Sequence, residues 1–264
     1  MAEALQRWKW TVAYDGATYE GWQSQPSGNT IQDVLEHALA EMNGMPTETR
    51  VHGSGRTDAG VHADGQVCHV DTPMRLHLDA QSWPRAMNAR LPASIRILEA
   101  EPVSDAFHAR FSVISKTYRY QIFLGNILPP MLAARAWKIH NPLDRNVLLQ
   151  AANILEGTHD FSAFAANRGP NCPPPRSTVR TIKRIEVTET TNNQWFMEFT
   201  ADGFLYRMVR MLVGTMIQFA HGKLSESRLK ELVSAPRLLK TSACAPAKGL
   251  YLSKVFYLDK GIPR

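Results

Sequence analysis

The sequence predicts an α+β protein built from two halves of like design, and three observations carry that prediction. Segments with apolar residues at every second position alternate with segments of helical spacing, so neither period governs the whole chain. The succession strand, helix, strands, helix, strand occurs twice, once before and once after Ser112. A chain of 264 residues that is 44% hydrophobic has apolar mass for one large or two modest cores, which excludes a disordered or collagen-like protein. We therefore expect an N-terminal half at residues 1–112 and a C-terminal half at 113–264. Each half is expected to have antiparallel strands with helices packed on one sheet face.

In the first half, Trp10, Val12 and Tyr14 alternate in a strand from about Lys9 to Tyr14. Ile31, Val34, Leu35, Ala38, Leu39 and Met42 recur at helical spacing, which predicts a helix over Ile31–Met42. Asn29 or Thr30 is placed to cap it, and Gly44 to end it. Gln66–Asp71 reads as a strand, Ala80–Ala89 as a weaker helix interrupted by Pro84, and Ile95–Val103 as a strand. In the second half, Lys116–Phe123 presents Tyr118, Tyr120 and Ile122 on one face. Asn146–Leu155 is helical, and Val179–Thr188 with Gln194–Thr200 forms a hairpin around Asn192–Asn193. Leu205–Ala220 is a long helix with Leu205, Met208, Val209, Leu212, Val213 and Met216 on one broad face. Arg207, Arg210 and Gly214 fall on its opposite side. Glu226–Ser234 is a shorter helix and Leu250–Tyr257 the closing strand.

The net charge of +6 is unevenly placed. Residues 1–112 hold 9 basic and 14 acidic side chains, and the remainder hold 21 basic and 10 acidic, so the second half alone carries +11. No carboxylate occurs between Asp105 and Asp144, a stretch that contains Arg110, Lys116, Arg119, Arg135 and Lys138. None occurs between Asp160 and Glu186, around Arg168, Arg176, Arg180, Lys183 and Arg184. Acid-free basic stretches suit a nucleic acid, because each neutralised phosphate releases counterions. No run approaches the ~18 apolar residues of a membrane span, and the N-terminus lacks the apolar core of a signal peptide. Cys68, Cys172 and Cys244 are odd in number and widely spaced, which argues against a disulfide framework or a zinc knuckle. A soluble, cytoplasmic protein is expected.

The most unusual segment is Gly53-Ser54-Gly55-Arg56-Thr57-Asp58-Ala59-Gly60-Val61-His62. Its glycines permit a sharply bent loop. It is not a Walker A loop, because no Gly-Lys-Ser/Thr follows, and Asp58 stands where a dinucleotide fingerprint needs its third glycine. One carboxylate and one guanidinium on a tight turn remain, which serve either as turn stabilisers or as chemistry. Tyr118, within Lys116-Thr117-Tyr118-Arg119-Tyr120, has the setting of a base-stacking aromatic among cations, and equally of a half-buried strand residue. Arg210 lies nearest the apolar border of its helix, where a buried guanidinium needs a carboxylate partner. The nine histidines and three cysteines show no metal-ligand spacing.

GSGRTDAGVHADGQVCHVDT resembles the signature segment of the tRNA pseudouridine synthase A family. YDGATYEGWQ at Tyr14–Gln23, FHARFSVISKTYRY at Phe107–Tyr120, FLYRMVRMLVG at Phe204–Gly214 and PAKGLYL at Pro246–Leu252 also match, in the family's order. The resemblance implies two pseudo-symmetric ferredoxin-like or RRM-like halves forming a continuous antiparallel sheet, helices on one face, and a central RNA-binding cleft. It implies that Asp58 is the catalytic aspartate, that Tyr118 packs against the target base, and that Arg210 pairs with the aspartate. Arg56 is implied to contact RNA, and His108, Arg110, Lys116 and Arg207 are further candidate RNA contacts. The implied activity is cofactor-free and metal-free isomerisation of uridine to pseudouridine at positions 38–40 of the tRNA anticodon stem–loop. The implied partners are tRNA and a second copy of the chain, not DNA or a membrane. The proline run in Asn167–Pro175 departs from every motif of the family. Two other readings stay open on the residues alone. One is a non-catalytic RNA-binding module, which gives Asp58 no task. The other is a hydrolase using Asp58 with Asp64.

Overall fold

Alternation and capping set the elements of the computed structural model, which describes residues 4–167, 169, 173, 175–236 and 239–258. In chain order they are β1 (Leu5–Tyr14), α1 (Ile31–Ala40), β2 (His52–Gly53), β3 (His62–Pro73), α2 (Ser82–Asn88), β4 (Ile95–Val103) and β5 (Val113–Leu124). There follow β6 (Trp137–Ile139), α3 (Arg145–Leu155), β7 (Gly157–Asp160), β8 (Val179–Glu189), β9 (Gln194–Ala201), α4 (Met208–Ala220), α5 (Glu226–Ser234) and β10 (Leu250–Tyr257). The class is α+β, with mostly antiparallel strands. The described chain divides into two compact units. One runs to Ile114 and takes up the chain again from Tyr251; the other is Ser115–Leu250. The closing strand thus belongs with the N-terminal elements. Arg168, Pro170, Asn171, Cys172 and Pro174 lie outside the described residues.

In the first unit the strand order is β4-β1-β3-β10, with β2 also beside β3. β1 is antiparallel to both neighbours, and Trp10 stands opposite Cys68 on one side and Ala100 on the other. β10 runs parallel to β3, pairing Tyr251 with His62. Trp8, Trp10, Val12 and Tyr14 point into the core at every second position of β1. The rings of Trp8 and Trp10 lie 5.9 Å and 5.3 Å from that of Trp83 in α2. Thr30 is the cap of α1: its hydroxyl accepts from the Asp33 N–H at 3.2 Å and donates to the Asp33 carboxylate. Ile31, Leu35, Ala38 and Leu39 form the buried face of that helix. Pro84 does not interrupt α2. It falls in the first turn, where its missing N–H has no intrahelical acceptor to lose.

In the second unit the order is β5-β9-β8-β7, all antiparallel, while the short β6 pairs in parallel with β5. Asp144 caps α3 by accepting from the Asn146 N–H at 2.7 Å, and Ser225 caps α5 by accepting from the Arg228 N–H. The hairpin of β8 and β9 turns with Asn193 at φ 57°. The long apolar helix corrects the sequence reading in two ways. It begins at Met208, so Arg207 precedes it in a left-handed conformation (φ 59°) and shares no helix face with Arg210. It is also buried on nearly every side, from Met208 through Phe219, because core packs around it and not against one stripe. Gly214 permits the close approach expected of it: a Cβ there would lie 2.9 Å from the Ala243 carbonyl carbon. Among the described residues no helix is long and apolar enough to cross a membrane.

Candidate active site

Asp58 stands in the loop between β2 and β3, and buried polar groups hold both arms of that loop. On the entering arm, the Ser54 N–H donates to the Val67 carbonyl at 2.7 Å. The Ser54 hydroxyl donates to Gln66 Oε1 at 2.7 Å. The Gln66 amide nitrogen donates in turn to the Gly55 carbonyl at 2.9 Å. Gln66 and Ser54 are fully buried, so this chain of bonds is not diluted by solvent. Thr57, next to the aspartate, is also buried, with its hydroxyl 2.9 Å from that of Tyr14. The leaving arm closes as a turn, the Val61 N–H donating to the Asp58 carbonyl at 3.1 Å. Asp58 itself is half-buried.

The segment 14–23 supplies the other wall of the loop. The Trp22 N–H donates to the Thr57 carbonyl, and the Gly60 N–H to the Tyr19 carbonyl, both at 3.2 Å. This contact explains the glycines of Tyr14–Gln23. Gly21 sits at φ +97°, and a Cβ there would fall 2.4 Å from the Thr57 carbonyl oxygen. A Cβ on Gly16 would fall 1.9 Å from the Val61 carbonyl oxygen. No larger residue fits either position without displacing the loop. His62 completes the enclosure: its Nδ1 accepts from the Gly16 N–H at 3.1 Å, and its ring stacks on Tyr251 at 4.6 Å. Arg56 is exposed, with Nε donating to Gln23 Oε1 at 3.2 Å.

Tyr118, Lys116, Arg207 and Arg210 belong to the second unit. Tyr118 lies in β5 opposite Phe199, is buried, and meets Phe204 edge-on at 5.1 Å. Lys116 pairs in register with Ala201. Arg210, in the first turn of α4, is clamped to one residue by two bonds. Its Nε donates to the Ala245 carbonyl at 2.8 Å, and its own carbonyl accepts from the Ala245 N–H at 2.9 Å. Burial raises the pKa of Tyr120, and the Arg210 charge works against that rise. The Tyr120 hydroxyl donates to the Pro246 carbonyl at 2.8 Å. Arg207 is exposed, its guanidinium 5.1 Å over the Tyr206 ring.

His108 and Arg110 occupy a turn of the first unit. His108 Nδ1 accepts from the backbone N–H groups of Arg110 and Phe111, so the ring braces its own turn. Beneath it, buried His69 accepts from the Ala109 N–H at 3.1 Å. Burial, then the charges of His52, His108 and Arg7, hold the His69 imidazole down at about 4. The unfolded chain, with His near 6.5, takes up this proton first, so stability is complete above that value and falls as pH drops towards 4. Urea unfolding should show about 2–3 kcal/mol lost across that interval, and His69→Gln should flatten this part of the profile.

The sequence reading missed the loop's supports: Gln66 was only the first residue of a strand, Tyr14 an alternating residue of another, and Trp22 only part of the Tyr14–Gln23 match. The signal available was the pair of glycines at 16 and 21, each too confined for a side chain.

A protein-family model described as tRNA pseudouridine synthase matches residues 11–112 and 151–258. The chain belongs to that family. It is similar to a tRNA pseudouridine synthase A of Akkermansia muciniphila, 48% identical over 261 residues and 97% of each chain. It is likewise similar to one of Bacillus subtilis, 41% identical over 253 residues, covering 95% of this chain and 99% of that one. Among solved structures, a chain from a crystal structure of a Cbf5-Nop10-Gar1 complex matches 95% of this chain and 50% of its own length, with 12% identity and a TM-score of 0.40.

Proposed function

We propose that this chain isomerises uridine to pseudouridine at positions 38–40 of the tRNA anticodon stem–loop, with Asp58 as nucleophile and without a cofactor. The observation that carries the reading is the Asp58 loop: a single carboxylate held half-buried on a backbone fixed from both sides. A nucleophile gains from such fixing, because an oriented group needs no further ordering at the moment of reaction.

The chemistry balances without electron transfer. The N1–C1′ bond breaks, the uracil turns, and a C5–C1′ bond forms, while the proton lost from C5 is matched by one gained at N1. Asp58 attacks either C6 of the base or C1′ of the ribose, or acts through a glycal; all three end in the same product. The target base leaves the stack at a cost of a few kcal/mol. Tyr118 offsets it by stacking worth about 1–3 kcal/mol. Arg210, its side chain anchored on Ala245, is assigned to pair with the Asp58 carboxylate. Arg56, His108, Arg110, Lys116 and Arg207 contact the RNA, and the protein works in the cytoplasm as a homodimer.

The test is incubation with unmodified tRNA transcript and excess chelator, followed by mapping of pseudouridine. Conversion confined to the anticodon stem–loop is expected; an unchanged transcript overturns the reading. Tyr118 is also assigned a part in removing the C5 proton. Tyr118→Phe should lower kcat by about 10²-fold or more with RNA still bound, the size of a lost proton-transfer group. Full turnover by that variant removes the assignment.

A further inference from the structure

We propose that Phe111, together with His108 and Arg110, forms a stacking platform for an unpaired nucleobase of the RNA, an assignment that rests on the RNA-directed reading above. Phe111 is 76% exposed, an unusual position for a phenylalanine. The ring is nevertheless held in place. The His108 ring lies 4.3 Å from it, inclined at 36°. His108 is fixed in turn: its Nδ1 accepts from the Arg110 and Phe111 N–H groups, and its ring meets buried His69 edge-on at 4.6 Å. Reciprocal bonds between His108 and Ser112 close the same turn, one from the His108 N–H to the Ser112 hydroxyl and one from the Ser112 N–H to the His108 carbonyl. A preorganised aromatic surface loses little entropy when a partner arrives.

The charge beside the ring selects the partner. The Arg110 guanidinium lies 5.6 Å over the Phe111 ring, and no carboxylate occurs from residue 106 through residue 143. An exposed aromatic ring with a cation held against it matches a base and its adjoining phosphate. Every base has a π-face, so the platform tolerates sequence differences among substrates, and it needs a base that is not already stacked in a helix. None of the family motifs gives Phe111 a task; its exposure and bracing do.

The test is the affinity of the full chain for a fluorescein-labelled, unmodified anticodon stem–loop transcript, measured by anisotropy across a range of salt. Phe111→Ala should weaken binding about 5- to 150-fold, and Phe111→Trp should restore it. The salt dependence should be unchanged, because no phosphate contact is removed. On a blunt-ended, fully paired RNA duplex of similar length the Ala variant should bind like the unaltered chain. Affinity for the stem–loop within twofold of the original overturns the proposal. So does an equal loss on paired RNA, or a change in self-association by sedimentation velocity, which would assign the ring to a second copy. Because affinity is the readout, a chain that binds the stem–loop yet makes no pseudouridine refutes the catalytic assignment and leaves the Phe111 comparison decisive.

Discussion

Asp58→Asn should bind the unmodified anticodon stem–loop as tightly as the unaltered chain, or more tightly, and form no measurable pseudouridine. The amide keeps the size and planarity of the carboxylate but loses its charge and its competence to attack carbon. A fall of at least about 10⁴-fold in single-turnover rate is expected when a covalent nucleophile is removed. The loop itself should survive, because its shape depends on bonds from other groups: Ser54, Gln66 and Gly55 on one arm, Thr57 with Tyr14, and the backbone at Trp22 and Gly60. Affinity should hold or rise because a carboxylate repels phosphates, which the amide does not. The two measurements together separate an enzyme from a non-catalytic RNA-binding module, which has no product to lose. Unchanged product formation by Asp58→Asn removes the nucleophile assignment outright.

The sequence made local features legible and hid those that depend on distant partners. β4, α5 and β10 occupy the ranges that periodicity predicts, and α1 begins at Ile31 behind its Thr30 cap, because each is marked by its own residues. The short β2, β6 and β7 were not predicted. Strands of two to four residues carry too little pattern, and only their pairing with β3, β5 and β8 defines them. Two errors concern helix starts. Pro84 was taken as a break although the first turn accepts it, and Leu205–Arg207 were counted as helix although Arg207 turns left-handed before the first helical residue. The same division holds at the candidate site. The Asp58 loop stood out by its glycines and lone carboxylate. The role of Tyr14–Gln23 as its scaffold did not, because Tyr14, Gly16, Gly21 and Trp22 lie some forty residues earlier and only the folded chain brings them to residues 57–61.

Gly21→Ala should cost activity through geometry alone, without touching any reacting group. The added methyl would meet the Thr57 carbonyl oxygen at 2.4 Å and the Asp58 carbonyl carbon at 3.0 Å, at a residue whose φ is +97°. Neither contact is with a flexible side-chain end, so the backbone at Thr57 and Asp58 must move. The Trp22 N–H bond to Thr57 must lengthen or break as it does so. A displacement near 1 Å at a catalytic group costs about 10²-fold, and kcat should fall by at least that much. The positive φ adds about 1–2 kcal/mol of strain, so the thermal transition should shift downward as well. Gly28→Ala supplies the control. Gly28 also has positive φ (+69°), but a Cβ there meets nothing within 4 Å. It should therefore show the backbone penalty and keep kcat close to that of the unaltered chain. If both variants lose stability while Gly21→Ala keeps full kcat, the segment Tyr14–Gln23 only buries the loop. If kcat falls for Gly21→Ala alone, that segment determines where the carboxylate stands.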